Sequence, residues 1–355
     1  MKSMLGIALA VVLAASPAFA QTANIPDNLD ALIAAAKKEG TLNLVWSETI
    51  MGGSDAVALH EAALNKMYGT DFKLKFSPGI EVARFGNQLM TELGAGQPAS
   101  SDVYVGAAAQ MLPLLQQNLF REAPWASIYP QRITPKEIEA DNKALRVQSA
   151  ISGITYNTDL VRTVPTTLEG FLEPQWKGKI ASTPYAAGFD ILAANGMWGP
   201  DKTLDFVRKL SPQVAGLIRC GDVERLATGE YSALVMDCIG NMAEQWKKRG
   251  APVGYAVLAD AAQMRYYYVG IPKNAAHPAL AALFTSYLLS KEGQALLWQT
   301  ASADLDTLPQ SHSGALVADY EKNGAKMPEV TISWWGEHPE IDRTKAEMIK
   351  ILSNK

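Results

Sequence analysis

Strand-like and helix-like patterns alternate along the first third of the chain. Residues 72–76, Phe-Lys-Leu-Lys-Phe, alternate apolar and polar positions as a half-buried strand does. The predicted strands cover residues 41–46, 72–76 and 102–105, and the predicted helices cover residues 27–40, 54–68, 82–93 and 107–117. Strands that alternate with helices predict an α/β unit in which crossover helices connect the strands of a mostly parallel sheet.

The same alternation starts again after an extended segment at residues 145–157. The predicted strands now cover 179–182, 232–237, 253–258 and 265–271, and the predicted helices cover 189–197, 203–210, 240–249, 278–290 and 291–299. We therefore expect a first lobe over residues 21–152 plus 266–310, a second lobe over residues 153–265, and a C-terminal helical segment over residues 311–355 that packs across the lobes. Open α/β sheets bind ligands beyond the carboxyl ends of their strands, so we expect a ligand cleft between the lobes.

The first twenty residues have the three parts of a secretory signal peptide. Lys2 is followed by an apolar run from Leu5 to Ala15, and Ala18 and Ala20 complete the small-residue pattern of a cleavage site. The apolar run is shorter than the roughly 20 residues that span a bilayer as a helix. We expect residues 1–20 to be removed and the rest of the chain to be exported to the periplasm.

An exported protein can keep a disulfide bond, and the sequence contains only two cysteines, Cys220 and Cys238. These two can pair with each other in only one way, and we expect that bond. The alternative is a pair of buried thiols. No Cys-x-x-Cys motif is present, so the sequence does not indicate a redox role.

Charge and motifs narrow the possible functions. The 355 residues include 36 acidic and 32 basic side chains, so the concentrated positive charge of a nucleic-acid-binding protein is not indicated. Four histidines and two cysteines leave little material for a zinc site. The phosphate-binding motif Gly-x-x-x-x-Gly-Lys-Ser/Thr and the hydrolase motif Gly-x-Ser-x-Gly are both absent. We expect no catalytic residues and no cofactor, and an exported hydrolase is a less favoured alternative.

Candidate ligand-binding residues lie in and beside the loops that follow predicted strands. The candidates in the first lobe are Trp46, Ser47, Glu48, Thr49, Arg84 and Gly106, together with Tyr266 from a later strand. The candidates in the second lobe are Thr183, Tyr185, Gly188, Arg219 and Asp237. The two arginines can hold an acidic group through paired hydrogen bonds, and a helix that begins near Gly188 is expected to add backbone amides. Trp46, Tyr185 and Tyr266 are expected to form the walls, and Asp237 is expected to meet an amine or a hydroxyl.

Several segments resemble the periplasmic substrate-binding proteins of ABC importers, in the family that includes the ferric-binding proteins. The matching segments are residues 173–180 (Glu-Pro-Gln-Trp-Lys-Gly-Lys-Ile), 183–189, 227–230 and 290–294. The resemblance implies the type II periplasmic binding fold, in which two α/β lobes close over a solute. It also implies delivery of that solute to an inner-membrane permease.

The sequence departs from the ferric branch of that family at the expected metal ligands. The positions of its adjacent tyrosine pair fall at Ile239 and Gly240, and residues 106–109 provide only Gly and Ala where an acidic ligand is expected. Ferric iron prefers anionic oxygen ligands, so we expect a small organic anion, carboxylate or phosphonate-like, as the solute. The alternative is a metal receptor with an unusual ligand set of Glu48, Asp237 and Tyr266. We expect a monomer that does not bind nucleic acid.

Overall fold

The computed structural model describes residues 24–48, 50–79 and 81–354, so the predicted signal peptide and Thr49 lie outside the described residues. The α-helices are α1 (Leu29–Glu39), α2 (Gly53–Tyr68), α3 (Val82–Gly94), α4 (Ala108–Gln116), α5 (Trp125–Ile128), α6 (Phe189–Leu192), α7 (Pro200–Leu210), α8 (Val223–Ala227), α9 (Ala243–Lys248), α10 (Pro278–Leu288), α11 (Lys291–Ala301), α12 (His312–Lys322), α13 (Ile332–Gly336) and α14 (Glu340–Ser353). The strands are β1 (Thr41–Trp46), β2 (Lys73–Pro78), β3 (Tyr104–Ala107), β4 (Ile138–Glu139), β5 (Ala144–Asn157), β6 (Ile180–Ser182), β7 (Val214–Leu217), β8 (Ala233–Asp237), β9 (Val253–Ala256), β10 (Gln263–Gly270) and β11 (Glu329–Val330). Short 3₁₀ turns cover Leu168–Leu172, Pro174–Trp176, Ser211–Gln213 and Gly240–Met242.

Local sequence signals explain where the first elements begin and end. The Asn28 side chain accepts a hydrogen bond from the backbone N–H of Ala31 at 2.9 Å and so caps α1. Gly40 ends this helix with a φ of 67°, a conformation that glycine adopts without steric cost. Burial in β1 alternates along the strand, with Leu42, Leu44 and Trp46 inside. These patterns place Trp46 and the loop after it at the carboxyl end of β1.

The strands form two sheets, of which the larger contains both parallel and antiparallel pairs. β1 and β2 pair in parallel as a two-stranded sheet. Nine strands form the second sheet in the order β11-β10-β5-β8-β6-β7, with β3 beside β10 and with β4 and β9 beside β5. The prediction of mostly parallel sheets is wrong here, because β5 is antiparallel to all four of its neighbours and β3 is antiparallel to β10. The cause is that β10 runs back alongside β5, whereas a parallel pair needs a crossover that returns the chain to the same end.

The long strand β5 belongs to both halves of the larger sheet. Its first half pairs with β10, and its second half pairs with β8 and β9. A large hydrophobic cluster surrounds the first half and includes α10, while two smaller clusters surround β6 and β8. The predicted lobe boundaries at 152/153 and 265/266 fall inside β5 and β10, and the division into lobes stays a prediction.

The C-terminal segment contacts both predicted lobes. α13 packs against α4, whereas α14 packs against α6 and α7. Two ion pairs hold α14 in place, Lys345 with Asp190 and Arg208 with Glu347. Within the described residues, no helix combines the length and the apolar character that a membrane span requires.

Candidate functional site

The end of β1 and the loop after it contain three of the predicted site residues that the structure describes. Trp46 is 3% exposed and packs between Phe76 and Phe284, with ring centroids 4.9 and 6.4 Å away. The Glu48 carboxylate accepts hydrogen bonds from the backbone and the hydroxyl of Ser54, and it thereby anchors the start of α2. These contacts make Trp46 part of the core and Glu48 part of a helix start.

The other first-lobe candidates lie in three separate places. The Ser47 carbonyl accepts a hydrogen bond from the Ile50 backbone N–H at 2.9 Å. Arg84 is exposed in the first turn of α3. Gly106 is buried in β3, where it pairs with Tyr268. The structure therefore leaves the ligand-binding role of these residues as a prediction.

The disulfide bond and Tyr185 form one contact region in the second lobe. The bond between Cys220 and Cys238 is confirmed, with the two Cα atoms 5.5 Å apart. The Tyr185 hydroxyl accepts a hydrogen bond from the Cys220 backbone N–H at 2.8 Å. Burial raises the pKa of Tyr185 to about 12, so its phenol stays protonated at neutral pH. Arg219 precedes this contact and is exposed.

The predicted helix start near Gly188 differs from the expectation. The helix that follows, α6, has only four residues, and its first amides are already bonded within the chain. The Asp190 carboxylate accepts hydrogen bonds from the N–H groups of Gly188 and Ile191, both at 3.0 Å. The Thr183 hydroxyl accepts another from the Ala187 N–H at 2.9 Å. The prediction of free amides for an anion is therefore wrong, because Asp190 already occupies the position of that anion.

Gly188 itself is required by the local backbone. Its φ is 82°, and a Cβ at this position would lie 2.8 Å from Met236. Ala186 and Met236 also have positive φ angles, of 50° and 61°. Residues held in such sparsely populated conformations are found preferentially at functional sites. The loop after β6 and the end of β8 are thus held in an unusual arrangement beside each other.

Asp237 is fully buried, and both of its carboxylate oxygens accept hydrogen bonds from the chain. The partners are the Thr155 hydroxyl at 2.7 Å and the N–H groups of Gly221 and Ile239 at 2.9 and 3.2 Å. Burial raises the pKa of this carboxyl above its usual value. The contacts join β5 to the two loops that carry the disulfide. A contact between Asp237 and a ligand stays a prediction.

The three consecutive tyrosines of β10 point to opposite faces of the strand. Tyr266 is fully buried, and the Arg146 guanidinium lies 4.3 Å from its ring centroid. Tyr267 points to the other face, where Tyr185 and Asp237 lie within its electrostatic range. Tyr267 is therefore the tyrosine of this run that lies on the side of Tyr185 and Asp237, whereas the role of Tyr266 in the wall of the site stays a prediction.

One face of the β5–β10 pair carries a set of buried polar side chains, which we name the β5–β10 polar face. Residues directly opposite each other in an antiparallel pair share a face, and the register pairs Gln263 with Ser152, Arg265 with Ala150 and Tyr267 with Gln148. The polar members of this face are Gln148, Ser152, Gln263, Arg265 and Tyr267.

Four polar atoms on this face have no hydrogen-bond partner among the described residues. They are Gln148 Oε1, Ser152 Oγ, Gln263 Oε1 and Arg265 Nε. Gln148, Ser152 and Gln263 are at most 3% exposed, and the Arg265 side chain is 11% exposed. Buried polar groups without partners are uncommon and costly, and an ordered water or a ligand at this face would satisfy these four.

The segment around α6 positions two members of this face. The Gln263 amide nitrogen donates to the Gly188 carbonyl at 2.9 Å. The Arg265 guanidinium contacts the Asp190 carboxylate at 3.5 Å, and the Lys345 ammonium contacts the same carboxylate at 2.9 Å. Although burial opposes the charge of Asp190, the two cations hold its pKa below the usual value. Asp190 thus holds the Arg265 guanidinium in place, while the Nε of Arg265 remains available as a hydrogen-bond donor.

Sequence reasoning missed this face, although one signal was present. Gln263, Arg265 and Tyr267 occupy every second position of β10 and therefore share one side of the strand. A charged residue at an inward position of a buried strand is rare unless it has a partner. That signal identifies the face only when the register between β5 and β10 is known.

A cavity of about 620 Å³ lies elsewhere, where the second lobe meets residues 324–328. Its walls include Trp198, Asp260 and Met327. Among the described buried side-chain atoms that line this cavity, only Asp260 Oδ1 lacks a hydrogen-bond partner. The other carboxylate oxygen of Asp260 accepts a hydrogen bond from the Leu168 N–H. The β5–β10 polar face has four such unpartnered atoms. No cluster of three or more His, Cys, Asp or Glu side chains suited to a metal ion was found in the described part of the chain.

Comparisons with known proteins agree with this architecture. The AfuA periplasmic binding protein from Actinobacillus pleuropneumoniae, solved with fructose-6-phosphate bound, has a TM-score of 0.70 at 20% identity, covering 89% of this chain and 100% of that chain. Iron-bound HitA from Pseudomonas aeruginosa has a TM-score of 0.66 at 14% identity, covering 88% and 99%. At these identities the likeness concerns the fold, which is the type II periplasmic binding fold.

Sequence comparison gives the family. An uncharacterized protein of Haemophilus influenzae is 27% identical over 163 residues, which are 43% of this chain and 47% of that relative, so the match spans about half of its length. Residues 61–329 match the family described as bacterial extracellular solute-binding proteins. Because this match covers most of the chain, the protein belongs to the bacterial extracellular solute-binding protein family.

Proposed function

We propose that the protein is a periplasmic receptor that binds a small organic anion and delivers it to an ABC import permease. The observation that carries the proposal is the Arg265 guanidinium, whose Nε is buried and has no acceptor among the described residues. A guanidinium cannot lose its proton in a protein and can only donate, so its natural partner is a carboxylate or phosphonate oxygen. Arg265 takes over the main role that the sequence assigned to Arg84 and Arg219, whose contact with a ligand stays a prediction.

The proposed site has one cation and two aromatic hydroxyls around it. Tyr185 and Tyr267 both lie within electrostatic range of Arg265. Burial raises the pKa of both tyrosines, so they present neutral phenols rather than phenolates. Neutral hydroxyls beside a guanidinium suit an anionic ligand. A ferric ion would instead need phenolates, and it would be repelled by Arg265.

An iron receptor is the second candidate, here with Tyr185, Tyr267 and Asp237 in place of the predicted set of Glu48, Asp237 and Tyr266. The charge of Asp237 contributes to raising the pKa of both tyrosines, so the three oxygen-bearing groups lie in one region. HitA, which has the same fold, is described as iron-bound. The two candidates differ in an easily measured property. Iron bound by tyrosine gives a visible charge-transfer colour, whereas an organic acid does not.

The experiment is a thermal-shift screen of the mature chain against small carboxylates and phosphonates, followed by titration calorimetry. A ligand that binds only the folded state at 100 times its Kd stabilises by about 2.7 kcal/mol, which raises the Tm by several degrees. We expect Arg265→Met to abolish this shift. Lys345→Met is the matched control, because it also removes a cation from Asp190 but leaves the Arg265 guanidinium in place.

Three outcomes would contradict the proposal. One is that no acid raises the Tm while Fe³⁺ raises it and produces colour. A second is that Arg265→Met and Lys345→Met retain the same ligand response. A third is that the acid is recovered chemically changed, which would favour the exported hydrolase.

A further inference from the structure

We infer that the ligand carries an N–H or O–H donor in addition to its acidic group, so that the site selects hydroxylated or aminated organic acids over unsubstituted ones. This inference rests on the proposed function. The key residue is Gln263, which is fully buried on the β5–β10 polar face, two positions from Arg265.

The orientation of the Gln263 amide is determined by its neighbours. Its nitrogen faces the carbonyl oxygens of Gly188 at 2.9 Å and Ala261 at 3.4 Å. Carbonyl oxygens only accept hydrogen bonds, so the NH₂ group must face them and the amide oxygen must point away. That oxygen is buried and has no donor among the described residues. Gln263 therefore offers an acceptor that only a donor group can satisfy.

Arg265 and Gln263 thus require opposite kinds of hydrogen-bonding group from a ligand. The guanidinium requires an acceptor, whereas the Gln263 oxygen requires a donor. Side chains two residues apart on a strand leave the backbone about 7 Å apart on the same face. That distance suits a small molecule whose hydroxyl or amine is a few bonds from its acidic group. Sulfate or a plain dicarboxylate would leave the Gln263 oxygen buried and unpaired.

Two neighbouring side chains of the β5–β10 polar face also bear on which hydrogen-bonding groups a ligand must carry. The Gln148 amide oxygen also lacks a partner on this face and can only accept a hydrogen bond, whereas the Ser152 hydroxyl, which lacks a partner too, can accept or donate one. Sites built with buried acceptors reject analogues that lack the matching donor, because the acceptor is then left unpaired. We expect a preference of about tenfold to a hundredfold within a matched pair of ligands, from the cost of one unmade buried hydrogen bond.

The test compares acids that differ by one hydroxyl or amine. The pairs are malate with succinate, lactate with propionate, citrate with tricarballylate and glutamate with glutarate, each titrated calorimetrically into the mature protein. We expect at least one pair to bind, with the hydroxylated or aminated member at least tenfold tighter. Gln263→Met, which keeps the side-chain length and removes the acceptor, should bring the two affinities within about threefold of each other.

Gln213→Met is the matched control, because Gln213 also donates through its amide nitrogen to a backbone carbonyl, that of Leu172, and also has an unpartnered Oε1. It lies in the turn Ser211–Gln213, away from the β5–β10 polar face, and should keep the wild-type preference. Equal wild-type affinities within every binding pair would overturn the inference and leave the proposed function standing. A preference retained in Gln263→Met would overturn the role of Gln263. Binding of no acid at all would overturn the inference together with the proposed function.

Discussion

A buried histidine shows how single residues set the acid stability of this protein. His60 lies in α2 with no exposed surface, and its Nδ1 is 3.1 Å from the Tyr287 hydroxyl. The rings of Phe284 and Tyr287 pack edge-on against it. Burial lowers the pKa of His60 to about 4, because the charged imidazolium loses its hydration there. In the unfolded chain the pKa returns to about 6.5.

We predict that the free energy of unfolding rises with pH between about 4 and 6.5. In this window the unfolded chain binds a proton at His60 and the folded chain does not, so acid favours unfolding by up to about 3 kcal/mol. Denaturant titrations at several pH values should show this slope in the wild type and a smaller slope in His60→Gln. An unchanged slope in His60→Gln would contradict the prediction.

At the scale of elements, one carboxylate connects three parts of the fold. Asp190 in α6 contacts Arg265 of β10 and Lys345 of α14. These contacts hold the C-terminal helix against the second lobe and hold Arg265 on the polar face. A buried carboxylate that pairs with two cations compensates their positive charge. Removal of its negative charge leaves both cations buried without a counter-charge.

We predict that Asp190→Asn lowers the free energy of unfolding by about 3–5 kcal/mol. The measurement is urea denaturation near neutral pH, and it should also show faster proteolysis of the C-terminal segment. Asp205→Asn is the control, because Asp205 forms an exposed pair with Lys209 and should leave stability nearly unchanged. Equal effects of the two substitutions would show that burial of Asp190 adds nothing.

The disulfide bond stabilises the loops between β7 and β8. It closes a separation of 18 residues and links Cys220, whose N–H meets Tyr185, to Cys238, which follows Asp237. We predict that Cys220→Ser with Cys238→Ser lowers stability by about 3 kcal/mol, mainly because the unfolded chain regains the freedom of that loop. A reductant should lower the Tm of the wild type by several degrees and leave the double variant unaffected. A reductant effect of equal size on both would exclude this bond as the cause.

Across the whole molecule, α9 of the predicted second lobe contacts α11 of the predicted first lobe. The Gln245 amide donates to the Gln299 carbonyl at 3.0 Å, and the Asn241 amide donates to the Ser302 carbonyl. The Lys248 ammonium lies 5.6 Å from the Trp298 ring centroid. If the lobes separate to admit a solute, these contacts are formed only when they close again.

We predict that Gln245→Ala weakens ligand binding by about threefold to tenfold, the cost of one hydrogen bond that forms on closure, with little change in the Tm of the ligand-free protein. Calorimetric titration with the acid found in the screen measures the affinity. Asn274→Ala removes a hydrogen bond of the same kind, from Asn274 to the Gln97 carbonyl within the first lobe, and should leave the affinity unchanged. An unaltered affinity in Gln245→Ala would exclude this contact from closure.

Much of this architecture could be predicted from the sequence, and the exceptions have physical causes. The strand at residues 41–46 follows from the local pattern, as does the strand predicted at 72–76, which the structure has at Lys73–Pro78. The disulfide bond follows from the presence of only two cysteines in the sequence. The antiparallel course of β10 beside β5 does not, because strand direction depends on distant partners. The choice between Tyr266 and Tyr267 also depends on that pairing. Alternation shows that they face opposite ways, but only the register shows which one meets the second lobe.

The pairing of β3 with β10 also has a consequence for how the chain is made. A ribosome delivers β3 and β5 long before Gln263–Gly270, which lies between them in the finished sheet. Until β10 emerges, the backbone N–H and C=O groups of β3 and β5 that it will pair with have no strand partner there. Unpaired strand edges can form hydrogen bonds with other chains. Pairings between distant segments also form slowly. The nascent protein is therefore exposed to aggregation, and accessible to factors that bind unfolded chains, for most of its synthesis.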